Sequence, residues 1–477
     1  MAYEKPNYTA YGEKMIDFLE KLIDQTLQKG AEFIDLRMNN SSFNTIVIVN
    51  GKTRDIISAI DKGIGIRVFI NGAWGFSCTD RLDKDSLTEA MDSAFKIAKK
   101  AGELAKINFK LEDQTPYKKK VSFPQKISLL DTSIEEKLKL AIDLDKQAKE
   151  FDVRIINTNS SYSDFVGEHL LLNSFGVQLE MKVNFIRIVS INYAFEAGVR
   201  QRGYQSIGGT AGFELAETEK AQNLGIKASE EAIQLLKASP AKAGKYTIIM
   251  DPALTGVFIH EAFGHACEAD AVLSGESILA DKIGEQVGLE TVTVVDDPTL
   301  SGELGYYPYD SEGTPSQKKY LVENGVLKNF MHSLETSSRL GTAPTGNARA
   351  QNYQSIPIVR MSNTYFQPGN WTLEELLEEV KNGLYLGGWV YGYCEPTKGS
   401  FTFKCRQAFT IENGERKKLL RDVGLSGMTL EVLNNILGIG QDLEFSEGTC
   451  GKQDQSVPVT DGGPHIAVKD VVVGGLT

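Results

Sequence analysis

The chain has 477 residues, 41% of them apolar and 24% charged, with 51 basic against 63 acidic side chains and a net charge of −12. Its length exceeds what one hydrophobic core fills, so two or more structured regions are expected of a composition this ordinary. The acidic balance is the wrong sign for counterion-driven binding to nucleic acid or anionic lipid, and no apolar run reaches the roughly 18 residues of a membrane span. Residues 1–15 contain no run of signal-peptide type, and the five cysteines are scattered without repeat spacing. The cytoplasm, with reduced thiols, is the expected compartment.

Met15, Phe18, Leu19, Leu22 and Leu27 recur at helical spacing and predict an amphipathic helix over 13–29, closed by Gly30. Alternation at Ile34, Leu36 and Met38, with the turn dipeptides Asn50-Gly51 and Asn71-Gly72, predicts an antiparallel sheet. Ser86-Leu87-Thr88-Glu89 reads as the capping box of a second helix carrying Ala90, Met91, Ala94 and Ala98 on one face. Residues 103–126 lose all periodicity and read as a connecting segment. A third helix opens at the box Ser133-Ile134-Glu135-Glu136. Strands at 153–160 and 166–198 follow, broken at Asn173-Ser174-Phe175-Gly176, and then a helix at about 217–237. The helix-and-hairpin stretches on either side of 103–126 are alike in order, but no residue-level periodicity supports a repeat.

After Pro240 and Gly244 a short strand over 246–250 leads to Asp251-Pro252, an N-cap followed by proline at the first helical position, so a helix over 252–266 is well signalled. Asn324-Gly325 and Asn413-Gly414 mark hairpins. A helix at 371–382 carries Glu374, Glu375, Glu378 and Glu379 as a solvated face. Gly63-Ile64-Gly65 lacks the third glycine and the following helix of a dinucleotide site. The expected fold class is α+β. Residues 1–240 are expected to form an amino-terminal helix-and-antiparallel-sheet region, with a subdivision expected near 103–126, and residues 241–477 a mostly β carboxyl-terminal domain.

The helix at 252–266 carries His260-Glu261-Ala262-Phe263-Gly264-His265, an H-E-x-x-x-H pattern. On a regular α-helix positions i and i+5 lie about 140° apart, too far round for two imidazoles to share a metal. A π-type turn brings them into line, and Gly264, permissive of unusual backbone angles, sits inside the stretch that must distort. Catalytic zinc takes three protein ligands and keeps a fourth position open. Cys267, Glu268, Asp270 and Cys450 are all candidates for the third, and spacing does not choose among them. Glu261, beside a ligand, has the place and chemistry of a general base. His169, His332 and His465 have no partner at ligand spacing and read as structural or surface residues.

With these residues the chain resembles the TldD/PmbA family, which includes metallopeptidases. The resemblance rests on His260 to His265, Glu268-Ala269-Asp270, Val294-Val295-Asp296-Asp297, Gly346-Asn347-Ala348-Arg349, Arg360 to Thr364 and Cys450-Gly451-Lys452, in that order. It implies that His260, His265 and Cys450 bind Zn2+, with Glu261 as catalytic base, in a TldD-like member. It also implies a substrate of short or unfolded peptides, and a homodimer or a heterodimer with a PmbA-like paralogue. The alternatives are a non-hydrolytic binding or regulatory protein with a structural metal, whose fourth ligand would be Glu268 or Cys267, and a thiol redox protein using Cys450.

Overall fold

The computed structural model describes residues 12–107 and 109–475; residues 1–11, on which the signal-peptide reading partly rests, lie outside the described residues. The fold is α+β, sheet-rich in its carboxyl half, as expected. The first hairpin joins Phe33–Val49 to Lys52–Ile70, and both turn residues, Asn50 and Gly51, take positive φ, the conformation a tight hairpin turn requires.

Phe33–Val49 pairs on its other side with Ile155–Asn173, so the stretches before and after residues 103–126 merge into one sheet. Its order is Ala73–Thr79, Lys52–Ile70, Phe33–Val49, Ile155–Asn173, Val177–Glu196. The last strand carries two partners along its length: Tyr117–Ser122, parallel to residues 177–182, and Val199–Gly209, antiparallel to residues 186–196. Tyr117–Ser122 falls inside the segment read as a connection. Its three consecutive lysines, Lys118 to Lys120, are all exposed, so it carries no alternating apolar signal and takes its conformation from the neighbouring strand.

Both stretches run helix, three strands, helix. Glu13–Gln28 and Lys84–Gly102 close the first half, with Leu19, Leu22, Met91 and Ala94 packed against Leu36, Ile66 and Val68. Ile134–Glu150 and Leu224–Leu236 close the second, around Leu144, Tyr162 and Ile188 and around Ile155, Ala194 and Ala232. In each half the third strand offers a glycine to the closing helix. A Cβ on Gly75 would strike the Ala94 carbonyl, and one on Gly203 the Ala228 carbonyl. The repeat is thus visible as matched topology where residue-level periodicity is silent.

Several boundaries differ from expectation, and Ile155–Asn173 runs unbroken through residues 161–165, where the sequence predicts a gap between strands. The second helix is capped by Asp83, whose carboxylate accepts from the Ser86 N–H, so Ser86 lies in the first turn rather than at the cap. The helix expected at 217–237 is interrupted at Asn223, with Glu219–Gln222 before it and Leu224–Leu236 after it. The helix expected at 371–382 is Leu373–Val380 and stops where Lys381 turns to positive φ. The box at Ser133 and Glu136 forms with both of its hydrogen bonds.

In the carboxyl half, Gly244–Met250, Ile466–Gly475, Val423–Met428, Ser400–Glu412 and Asn382–Glu395 pair in that order. The ring closes because Asn382–Glu395 also pairs with Gly244–Met250. Closure removes free edges among these strands and encloses Ile248, Leu386, Phe403, Leu425 and Val473 in one core with Phe258. A second sheet runs Val326–Leu327, Lys319–Glu323, Val294–Asp296, Asn363–Phe366, Gln455–Gly463, and ends on Glu444–Lys452 as its outer strand. Among the described residues no helix is long and apolar enough to cross a membrane.

Candidate metal centre

The helix that carries the histidines is anchored at its start. Asp251 accepts from the Leu254 N–H, as an N-cap does, and from the Gly388 N–H of the closed ring, while Pro252 fills the first helical position. Pro252–Val257 is α-helical, Phe258–Phe263 is a π turn, and Gly264–Cys267 is a 3₁₀ turn. The Gly264 N–H bonds to the carbonyl of Ile259, five residues back, as well as to that of His260. Five residues therefore span about one turn, and the rings of His260 and His265 meet at 5.4 Å between centroids, nearly perpendicular at 88°.

Gly264 is not distorted. At φ −60° and ψ −44° it is an ordinary right-handed helical residue, so the expectation that its backbone freedom permits the π turn is corrected. Space is what requires glycine, because an added Cβ would overlap the Met361 sulfur. Gly264→Ala is expected to destabilise the fold by about 1–3 kcal/mol through overpacking. The loss would be read as a lower urea midpoint at unchanged m-value.

Cys450 arrives from the outer strand Glu444–Lys452, with its sulfur 3.6 Å from His265 Nε2. The ligand atoms of His260, His265 and Cys450 all lie within 4.8 Å of one another, and no fourth His, Cys, Asp or Glu joins them among the described residues. Of the other candidates for third ligand, Glu268 faces the opposite nitrogen of His265, with Oε2 2.9 Å from Nδ1. Asp270 accepts from Lys452 Nζ at 2.8 Å, and Cys267 is buried in the hydrophobic core. Lys452 Nζ also donates to Glu268 at 3.0 Å and to the Val359 carbonyl at 3.0 Å. One ammonium thus ties the cysteine strand to the carboxylate behind His265. Buried Arg360 donates to the Cys450 carbonyl and fixes the backbone there.

The electrostatics favour a thiolate. Burial alone pushes the Cys450 thiol up, but His260 and His265 outweigh it and bring it down to about 5. Burial pushes Cys267 and Cys394 the other way, upward, and they have no such imidazole pair. His260 is buried, and its Nδ1 has no hydrogen-bond partner. That is a costly state for a polar atom unless a ligand satisfies it. Two imidazoles, one ionisable thiol and a carboxylate orienting one imidazole match a three-ligand zinc site with its outer support.

Glu261 lines a cavity of about 580 Å³. Its side chain is 37% exposed, and Oε2 lies 3.9 Å from His265 Nε2. One wall of the cavity is the run Glu444 to Thr449 of the outer strand; another is Tyr204 to Ser206 of Val199–Gly209, from the first sheet. Asp461 also faces it, and burial pushes that carboxyl up to about 7 against the opposing pull of His260. None of the remaining histidines joins His260, His265 and Cys450 among the described residues. His169 sits 3.4 Å from the Ser41 hydroxyl, His332 is buried beside Thr336, and His465 bridges the Tyr385 hydroxyl and Asp442. Sequence reasoning assigned no role to Lys452 or Asp461. A signal for Lys452 existed, since a residue two after Cys450 on a strand points to the same side.

In class, then, this is an α+β protein whose π turn and outer strand assemble a His, His, Cys candidate metal centre beside a carboxylate-bearing cavity. The chain belongs to the PmbA/TldD family of metallopeptidases: residues 34–98 match its domain 1, residues 127–236 its central domain and residues 243–475 its C-terminal domain. A protein named metalloprotease from Methanothermobacter thermautotrophicus is 40% identical over 459 residues, spanning 96% of this chain and 99% of that one. A zinc metalloprotease TldD homolog from Saccharolobus solfataricus is 31% identical over 464 residues, spanning 95% and 99%. The crystal structure of TldE from Thermococcus kodakarensis superposes with a TM-score of 0.78 over 96% of this chain and 100% of that one. At 19% identity it shares the fold.

Proposed function

We propose that this chain is a zinc-dependent peptidase acting on short or unfolded peptides, with His260, His265 and Cys450 holding the metal and Glu261 as general base. The observation that carries the reading is that these three donors and Glu261 converge where an outer strand forms a cavity wall. The catalytic unit is assigned to residues 241–477, with residues 1–240 supplying the facing wall.

When bound, zinc would act as a Lewis acid that polarises a carbonyl and acidifies a water. Glu261 accepts the proton of the attacking water and returns it to the leaving amine. The outer strand offers backbone groups to an extended peptide, whose length sets how much of the wall it covers. Glu268 orients His265 through Nδ1, which leaves Nε2 on the Cys450 side. Glu268→Gln is accordingly expected to weaken zinc affinity about 10–100-fold, measured by competition with a chromogenic chelator.

The family's metallopeptidase name supports this reading over a non-hydrolytic protein with a structural metal, as does a donor set that stops at three. A redox role for Cys450 would need a second cysteine beside it, and the groups that meet its sulfur among the described residues are His260 and His265. Unpaired thiols suit the cytoplasm, and a dimer, with itself or with a PmbA-like paralogue, is the assembly we assign. The test is cleavage of an unfolded peptide followed by mass spectrometry. Cleavage should be abolished by chelator dialysis and restored by zinc; cleavage that survives full chelation would refute the reading.

A further inference from the structure

Beside the catalytic cavity lies a second one, of about 320 Å³, and the two share Arg202, Tyr204, Val390 and Arg406 in their walls. Their charge differs. The catalytic cavity balances Arg187, Arg202, Lys220 and Arg406 against Glu261, Glu444, Glu447 and Asp461. The second is lined by Arg200, Arg202, Lys404 and Arg406 against the single carboxylate Asp422. Such a surplus is unusual for a chain of net charge −12.

That charge is only partly neutralised locally. Arg406 is engaged, donating to the Tyr204 carbonyl at 2.8 Å with Glu231 3.7 Å away, and Lys404 lies 3.5 Å from Asp422. Asp422 itself is held closer by Arg421, at 2.6 Å. The Arg202 side chain has no hydrogen bond and no close ion pair among the described residues, and the carboxylate its charge reaches, Glu231, is already shared with Arg406. Its Nε is buried and unpartnered, and its guanidinium carbon lies over the Tyr204 ring, 5.3 Å from the centre. A guanidinium held over an aromatic face keeps its N–H fork free for bidentate recognition of a carboxylate. Leaving a buried guanidinium nitrogen without an acceptor is costly, so an anion there would be held by more than screened surface charge.

We propose that this cavity is a substrate-binding subsite for a carboxylate on the peptide, read by Arg202 with Arg200 and Lys404 as supporting charges. It rests on the peptidase reading for what enters, and adds that the enzyme favours peptides with an acidic group beyond the cleavage position. The carboxylate comes from an Asp or Glu side chain or from a free C-terminus, and peptide design separates the two.

The experiment is fluorescence anisotropy with Glu261→Gln protein, in which binding is read without hydrolysis. Four labelled peptides of one sequence are compared: Gln or Glu at an internal position, each with a free or an amidated C-terminus. Binding that is tighter on the order of tenfold for one kind of carboxylate, and lost in a second protein also carrying Arg202→Gln, supports the subsite and identifies its source. Lys404→Gln, at a more peripheral cation, should lower the same preference by a smaller factor. Equal binding of all four peptides overturns the proposal, as does a preference that Arg202→Gln leaves intact. Wild-type protein that binds acidic peptides by this rule but never cleaves them would refute the peptidase reading while leaving the subsite standing.

Discussion

Glu261→Gln protein is expected to retain about one zinc per chain and to lose peptide hydrolysis by about 10²–10⁴-fold in kcat, the usual contribution of a positioned general base. The substitution is nearly isosteric and leaves His260, His265 and Cys450 untouched. Glu261 is partly exposed on the cavity wall and has no packing role that a glutamine cannot fill. KM should change little, because the carboxylate acts on the proton of the attacking water rather than on the bound peptide. Undiminished turnover in this variant would place the base elsewhere, with Asp461 the next carboxylate facing the cavity.

Cys450→Ser is expected to lose metal and hydrolysis together. A serine hydroxyl stays protonated at neutral pH, whereas two imidazoles bring the Cys450 thiol down to about 5, where it is a thiolate at neutral pH. Removing a residue that would itself hold the metal should cost more than the 10–100-fold expected for one that only orients a ligand, so zinc affinity should fall by more than about a hundredfold. The backbone around position 450 is fixed independently by Arg360 and by pairing of Cys450 with Val457, so the variant should fold with an unchanged thermal midpoint in the absence of metal. A fold lost along with the metal would show that the centre carries stability as well as chemistry.

Much of this centre was legible in the chain itself. The i, i+5 spacing of His260 and His265 demands a π turn on simple angular grounds, and Asp251-Pro252 announces where the helix carrying it begins. The role of Gly264 was not legible, because it depends on Met361, about a hundred residues away in sequence, and no local rule reports such a contact. Cys450 could be chosen over Glu268, Cys267 and Asp270 only by family resemblance. What brings Cys450 beside the histidines is the pairing of Glu444–Lys452 with Gln455–Gly463, and neither that pairing nor a preference over three candidates adjacent to His265 is visible in one dimension. The strand Tyr117–Ser122 was hidden for a different reason, since its conformation comes from its neighbour rather than from its own lysines. The shared cavity between Val199–Gly209 and Glu444–Lys452 joins residues more than two hundred positions apart, which no periodicity announces.

The most direct measurement is zinc per chain, by elemental analysis of wild-type, Glu261→Gln and Cys450→Ser proteins purified side by side without chelators. About one zinc in the first two and almost none in the third is the expected result, with peptide cleavage in the wild type alone. Zinc retained in Cys450→Ser, or a wild-type protein that takes up no zinc even when it is supplied, would contradict the assignment of His260, His265 and Cys450 as the metal site.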